Sequence, residues 1–159
     1  MVIEDKLNFL KEHFSSYEVK LSEDGKSAAI INPFGKENIE VRHVPEDDFT
    51  PYIVYFAFQH AHVCDEENVI EYINEIIDGN VLSIEFFRNG ARCFGGDISP
   101  EELKDLSYTA LAQSMRAWGI MNLKDRADSF ALRGWRDNHN FDGVFVVDEK
   151  GAVTIERRN

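Results

Sequence analysis

Disulfides, long apolar spans, a basic surplus and catalytic signatures are all missing from this chain, and each absence removes a class of protein. Two cysteines, Cys64 and Cys93, in 159 residues are too few for a disulfide framework. A chain that is not exported keeps both thiols reduced, and free cysteine is usually buried, so two inert, buried thiols are expected. No apolar run reaches the roughly 18 residues needed to cross a bilayer. The longest, Tyr52–Cys64, is interrupted by Gln59 and two histidines. The opening MVIEDKLNFLKEHF carries Glu4, Asp5 and Glu12 and has no apolar signal core followed by a cleavage site. These features read as a soluble, cytoplasmic protein with no membrane partner.

Positive charge is scarce. The net charge is −12, and it is uneven. Residues 1–80 hold 17 acidic and 6 basic side chains, a net of −11, whereas residues 81–159 are nearly balanced at −1. Nucleic-acid binders neutralise phosphates with a basic face, so nucleic acid is not an expected partner. An acidic half suits a basic protein or a cationic ligand, and it also keeps a protein soluble. No GxSxG, SxxK, HExxH, paired CxxC or GxxxxGK[ST] motif occurs. The GARCFGG stretch, Gly90–Gly96, follows a hairpin turn rather than opening a helix, so its glycines are read as serving backbone shape.

What is present is enough for a core: 43% hydrophobic residues and twelve phenylalanines in a chain of single-domain size. Ile3, Leu7, Leu10 and Phe14 follow helical spacing over 2–14. Tyr17–Leu21, Ser27–Ile31 and Ile39–Val44 read as strands joined by short turns at Asp24-Gly25 and Asn32–Gly35, which favours an antiparallel meander. The acidic loop Pro45–Asp48 leads to a long strand over 52–63, expected to lie inside the sheet with both faces buried. Asp65 caps a helix over 66–78. Val81–Arg88 and Ala91–Phe94 form a hairpin at Asn89-Gly90. Ser99-Pro100-Glu101-Glu102 starts a helix to about Trp118, and helices 66–78 and 100–118 are expected to cover the meander. Residues 120–142 are irregular, and 144–157 form a terminal hairpin. The expectation is one α+β domain over 1–159: an antiparallel meander sheet packed with about three helices, plus two hairpins.

Two constellations carry chemistry. Along a straight strand, side chains alternate between faces, so His60, His62 and Cys64 share one side with Tyr52, Val54, Phe56 and Phe58. Those three are suitable metal ligands, with His43 or Cys93 to complete the set. The favoured account is that the histidines end a core strand, where they satisfy hydrogen bonds or face a cleft. A neutral imidazole also suits acid–base work, with Asp65 or Glu85 to orient it. The second constellation is acidic. Glu46, Asp47 and Asp48 precede the long strand and Asp65, Glu66 and Glu67 follow it, at opposite ends if the strand is straight. A third segment, Arg116, Trp118, Lys124, Arg126, Arg133, Trp135 and Arg136, mixes cationic and aromatic types used at interfaces; ordinary packing of the tryptophans among scattered arginines is the favoured account.

The FQHAH segment, the acidic-capped helix after it, IEFFRNG and FGGDI together resemble small, acidic, uncharacterised bacterial domains, some of which act as immunity proteins against toxins. The resemblance centres on residues 52–98 and carries no catalytic residues. The element order is similar to type III secretion chaperone-like domains, which are acidic protein binders and often dimers; an additional meander strand and the terminal hairpin depart from that pattern. These resemblances imply a noncatalytic protein-binding module, of toxin-immunity or chaperone-like type, without a cofactor. A basic protein is the expected partner, and self-association as a homodimer is compatible with the charge split. The alternative is a small metal-dependent enzyme using His60 and His62.

Overall fold

Residues 6–103 and 106–158 are described by the computed structural model. The start of the helix expected over 2–14, and Lys104 and Asp105 of the helix expected over 100–118, lie outside them. Within the described part the fold is α+β, and all its strand pairings are antiparallel.

The first half is a meander. Strands β1 (Val19–Leu21), β2 (Ser27–Ile30), β3 (Ile39–His43), β4 (Tyr52–Phe56) and β5 (Gln59–Val63) lie side by side in chain order. Two helices, α1 (Asn8–His13) and α2 (Glu66–Ile77), close one face. Leu10, Ile39, Val41, Val54, Phe56, Val69, Ile73 and Ile76 share this core, each 0–1% exposed. The start of α2 is as expected: the Asp65 carboxylate accepts from the Asn68 N–H, with Glu66 and Glu67 in the first turn.

The stretch expected as one straight strand over 52–63 is a hairpin. It turns at Ala57-Phe58, with Phe56 opposite Gln59 and Tyr52 opposite Val63. Ala57 has φ of +51°, while Phe58 is not in the positive-φ region, the φ signature of a type II′ turn. An Ala-Phe pair carries none of the usual turn residues, which is why the turn was hidden. The face beyond Ile53 and Tyr55 is only half-buried, so burial on both faces is also corrected; the Arg42 guanidinium covers the Tyr55 ring at 4.9 Å.

The second half forms another five-stranded sheet rather than two separate hairpins. Its strands are β6 (Leu82–Arg88), β7 (Ala91–Ile98), β8 (Ser129–Arg133), β9 (Phe141–Val147) and β10 (Val153–Arg157), in the order β10-β9-β8-β6-β7. The Asn89-Gly90 turn has φ of +52° and +79°, as a type I′ hairpin requires. β8 lies within the segment expected to be irregular, 120–142, its SFALR a short apolar run masked by the charges around it. It is nonetheless the inner strand that joins both hairpins. Stacked or tilted rings of Phe94, Phe86, Phe130 and Phe141 run across β7, β6, β8 and β9.

The long helix expected over 100–118 is broken. A 3₁₀ turn spans Pro100–Leu103, and α3 (Tyr108–Ala117) starts afresh with Ser107 capping the Ala110 N–H. With α4 (Leu123–Arg126), it packs Leu111, Met115 and Leu123 on the second sheet. Only α2 of the two expected helices therefore covers the meander. Trp135, which follows β8, inserts into the first core and is fully buried. Its carbonyl accepts from the buried Asn32 side chain at 2.7 Å. The two cores are interlocked by this crossing.

Phe56 is 1% exposed, so Phe56→Ala should cost about 3–5 kcal/mol, as should Trp135→Ala. Urea unfolding followed by both fluorescence and circular dichroism should show one transition, with a lower midpoint. A near-unchanged midpoint for Phe56→Ala would contradict its placement.

Candidate protein interface

A two-residue turn changes which side chains share a face. Through the hairpin register, Tyr52, Val54 and Phe56 stand with Val63, Ala61 and Gln59 on the core side. His60 and His62 fall on the other side, opposite Tyr55 and Ile53, and both are exposed. Their rings are 5.3 Å apart, edge to face. His43 is not with them: it stands on the core side, its ring 5.3 Å from that of Tyr52. Cys64 is exposed beyond the end of β5, where its thiol meets the Asp65 carboxylate at 3.6 Å and accepts from the Asn68 amide at 3.2 Å. Cys93 is exposed as well, because it is the extra residue of a bulge between the pairs Phe86–Phe94 and Phe87–Arg92. The expectation of two buried thiols is thus corrected. Among the described residues no three His, Cys, Asp or Glu side chains converge as a metal site.

The same turn relocates the acidic residues. Tyr52 and Val63 are cross-strand partners, so the loop before β4 and the helix entrance after β5 lie at one end of the sheet, not at opposite ends. Thr50, Cys64 and Asn68 border a common groove there. Asp47 is within electrostatic reach of the His62 imidazole, and Glu66 lies against the Tyr52 hydroxyl. Glu46, Asp47 and Asp48 thereby stand at the same end of the sheet as Asp65, Glu66 and Glu67. Of these six, all but the partly buried Asp47 are exposed.

This end is held ready in its charged form. Asp47 accepts from the Thr50 N–H at 2.9 Å, the Thr50 hydroxyl at 3.0 Å and the Phe49 N–H at 3.0 Å. Those bonds hold its carboxyl below the ordinary aspartate range. The Asn68 N–H, the Cys64 thiol and the Asn68 amide do the same for Asp65. In the middle of the acidic loop is a residue that sequence reasoning missed: Phe49, 87% exposed. Its signal was a large aromatic in a loop too polar and short to bury it.

The cationic-aromatic segment does not form one face. Trp135 is in the first core, while Trp118 packs on Gly96, where a Cβ would come within 3.1 Å of its ring. Arg133 is engaged by Asp142 at 2.6 Å.

A second unanticipated feature lies where the sheets meet. The Phe58 N–H donates to the Ser83 hydroxyl at 3.1 Å, and the Phe58 carbonyl accepts from Arg92 at 3.1 Å. Beside Ser83, the Glu85 carboxylate is wholly buried and ion-paired with Arg92. Gly95 makes room for it: a Cβ there would stand 2.5 Å from a Glu85 oxygen. Burial raises the Glu85 carboxyl above the ordinary range, and Arg92 only partly offsets this. No family model matches this chain, and no curated protein or solved structure matches it.

A carboxyl whose folded pKa is raised supports folding fully only below its unfolded value, near 4.5, and lowers stability as pH climbs through the folded value. Between pH 4 and 7 the wild type should therefore lose stability relative to Glu85→Gln. Parallel pH–stability curves for the two proteins would show that Glu85 does not titrate as its burial requires.

Proposed function

We propose that this is a noncatalytic cytoplasmic protein-binding module whose acidic end engages a basic protein. A toxin-immunity or chaperone-like role fits that reading. The observation that carries it is the position of Glu46–Asp48 and Asp65–Glu67 at one end of the meander, with the exposed Phe49 in the loop beside Asp48. Clustered carboxylates accelerate encounter with a complementary surface. An exposed aromatic supplies apolar area that becomes worth most when a partner desolvates it. Steering and anchoring thus fall to different residues. The carboxylates act mainly on association and Phe49 mainly on dissociation. The fixed hydrogen bonds of Asp47 and Asp65 keep the loop and helix entrance in shape, and Glu66 is engaged by the Tyr52 hydroxyl, while the exposed Glu46, Asp48 and Glu67 face solvent, where cationic side chains can reach them.

The test is association kinetics with the partner recovered by native copurification and mass spectrometry. Reversing Glu46, Asp48, Glu66 and Glu67 to lysine should slow association about tenfold or more at low salt. Added salt should slow the wild type toward the same rate. Phe49→Ala should leave association nearly unchanged and speed dissociation. Because lysines in the first turn of α2 oppose the helix dipole, circular dichroism must accompany the measurement. Salt-independent association that the reversal leaves unchanged would overturn the proposal.

A further inference from the structure

The free edge of the meander offers a second element of the same interface. In the β4–β5 hairpin the pairs flanking the turn exchange backbone bonds at Gln59, Ala61 and Val63. The N–H and C=O groups of His60 and His62 therefore point away from β4. β5 is the last strand of its sheet, and no backbone partner is present for these groups among the described residues. Phe58, the preceding outward residue, is satisfied by Ser83 and Arg92, so the free edge begins just after the docked turn. The strand itself has no proline and no bulge, and β7 packs near it without pairing to it.

Beside this edge runs a groove of about 580 Å³ between β5 and α2. Ala61, Val63 and the Tyr72 ring give it apolar walls, and Glu71 and Glu75 stand exposed along its helical side. The Tyr72 hydroxyl is fixed there, accepting from the Gln59 amide at 3.0 Å. We infer that β5 is a docking edge for an extended, lysine- or arginine-bearing segment of the partner protein, which adds as a sixth strand and lays alternate side chains into the β5–α2 groove.

The chemistry matches at both levels. Strand addition fills the outward N–H and C=O groups of His60 and His62. A lysine or arginine entering the groove lays its aliphatic stem on Ala61, Val63 and Tyr72 and brings its charge to Glu71 or Glu75. A second copy of this chain fits less well. Edge-to-edge pairing through β5 would bring two sets of these glutamates toward one another. The inference rests on the protein-binding reading above and specifies how the partner is held.

The test uses the intact chain and three ten-residue peptides: alternating Lys/Thr, alternating Glu/Thr, and Lys/Thr with every second amide N-methylated. Binding is followed by titration, and amide hydrogen exchange is read at His60 and His62. The Lys/Thr peptide should bind and slow exchange at both residues, while the Glu/Thr peptide should not bind. N-methylation should weaken binding about fivefold or more, the cost of lost backbone bonds. His62→Pro removes one outward N–H and leaves the bonds to β4 in place, so it should weaken binding similarly. The Glu71→Lys/Glu75→Lys variant, altered only on the helix surface, should do so without touching the sheet. Absence of Lys/Thr binding would overturn the inference. So would binding that leaves His60 and His62 exchange unchanged, although the acidic-steering proposal would then survive. Concentration-dependent self-association that protects the same amides would assign the edge to a second copy instead.

Discussion

The turn at Ala57-Phe58 is the constraint on which the rest of the surface depends. It has little intrinsic support, since alanine at φ of +51° is unfavourable by about 1–2 kcal/mol. The second sheet supplies what the local sequence does not. Ser83 takes the Phe58 N–H, Arg92 gives to the Phe58 carbonyl, Phe87 meets the Phe58 ring edge to face and the Arg133 guanidinium lies 5.8 Å over it. With the turn fixed, three consequences follow from geometry alone. The histidines leave the core side, the two acidic clusters come to one end, and β5 becomes the edge of its sheet. One docked aromatic residue thereby determines both where the charge collects and where the backbone is open.

The seam that fixes the turn carries its own tension. Arg92 serves two masters, the Phe58 carbonyl and the buried Glu85 carboxylate. A buried ion pair of this kind is a weak source of stability, because desolvation opposes the attraction. Its value is in position: Glu85 holds Arg92 across the seam, and Gly95 exists at that place because any larger residue would strike the carboxylate. The charge split of the sequence follows the same boundary. The acidic half is the meander with its two helices, and the nearly neutral half is the second sheet, which serves as the platform for the turn. No helix among the described residues is long and apolar enough to cross a membrane.

Much of the fold was legible because local chemistry and tertiary structure agree. Asn89-Gly90 demanded a hairpin and made one; Asp65 marked a helix start; the terminal hairpin and the first three strands lie where alternation places them. The failures are equally physical. Alternation cannot distinguish a twelve-residue strand from two strands when the turn is Ala-Phe, held by residues 25 and more positions away. Gln59 looked like an interruption of an apolar run, yet it is a buried residue whose amide is satisfied by Tyr72. Ser99–Trp118 offered a capping box, but a second cap at Ser107 restarts the helix. For the proposed interface, sequence supplied all six carboxylates and could not bring them together. Phe49 and the open edge at His60 and His62 became visible only once the register was known.

The central claim is that the hairpin brings the two acidic clusters to one end, and a distance measures it directly. Spin labels at positions 48 and 67, in a chain with Cys64 and Cys93 replaced by serine, report that separation by pulsed dipolar spectroscopy. Paired strand ends are about 5.5 Å apart at their Cα atoms, so the labels should lie within about 25 Å of each other. A straight strand over 52–63 would span about 40 Å by itself. A single distribution at or beyond that length would contradict the account.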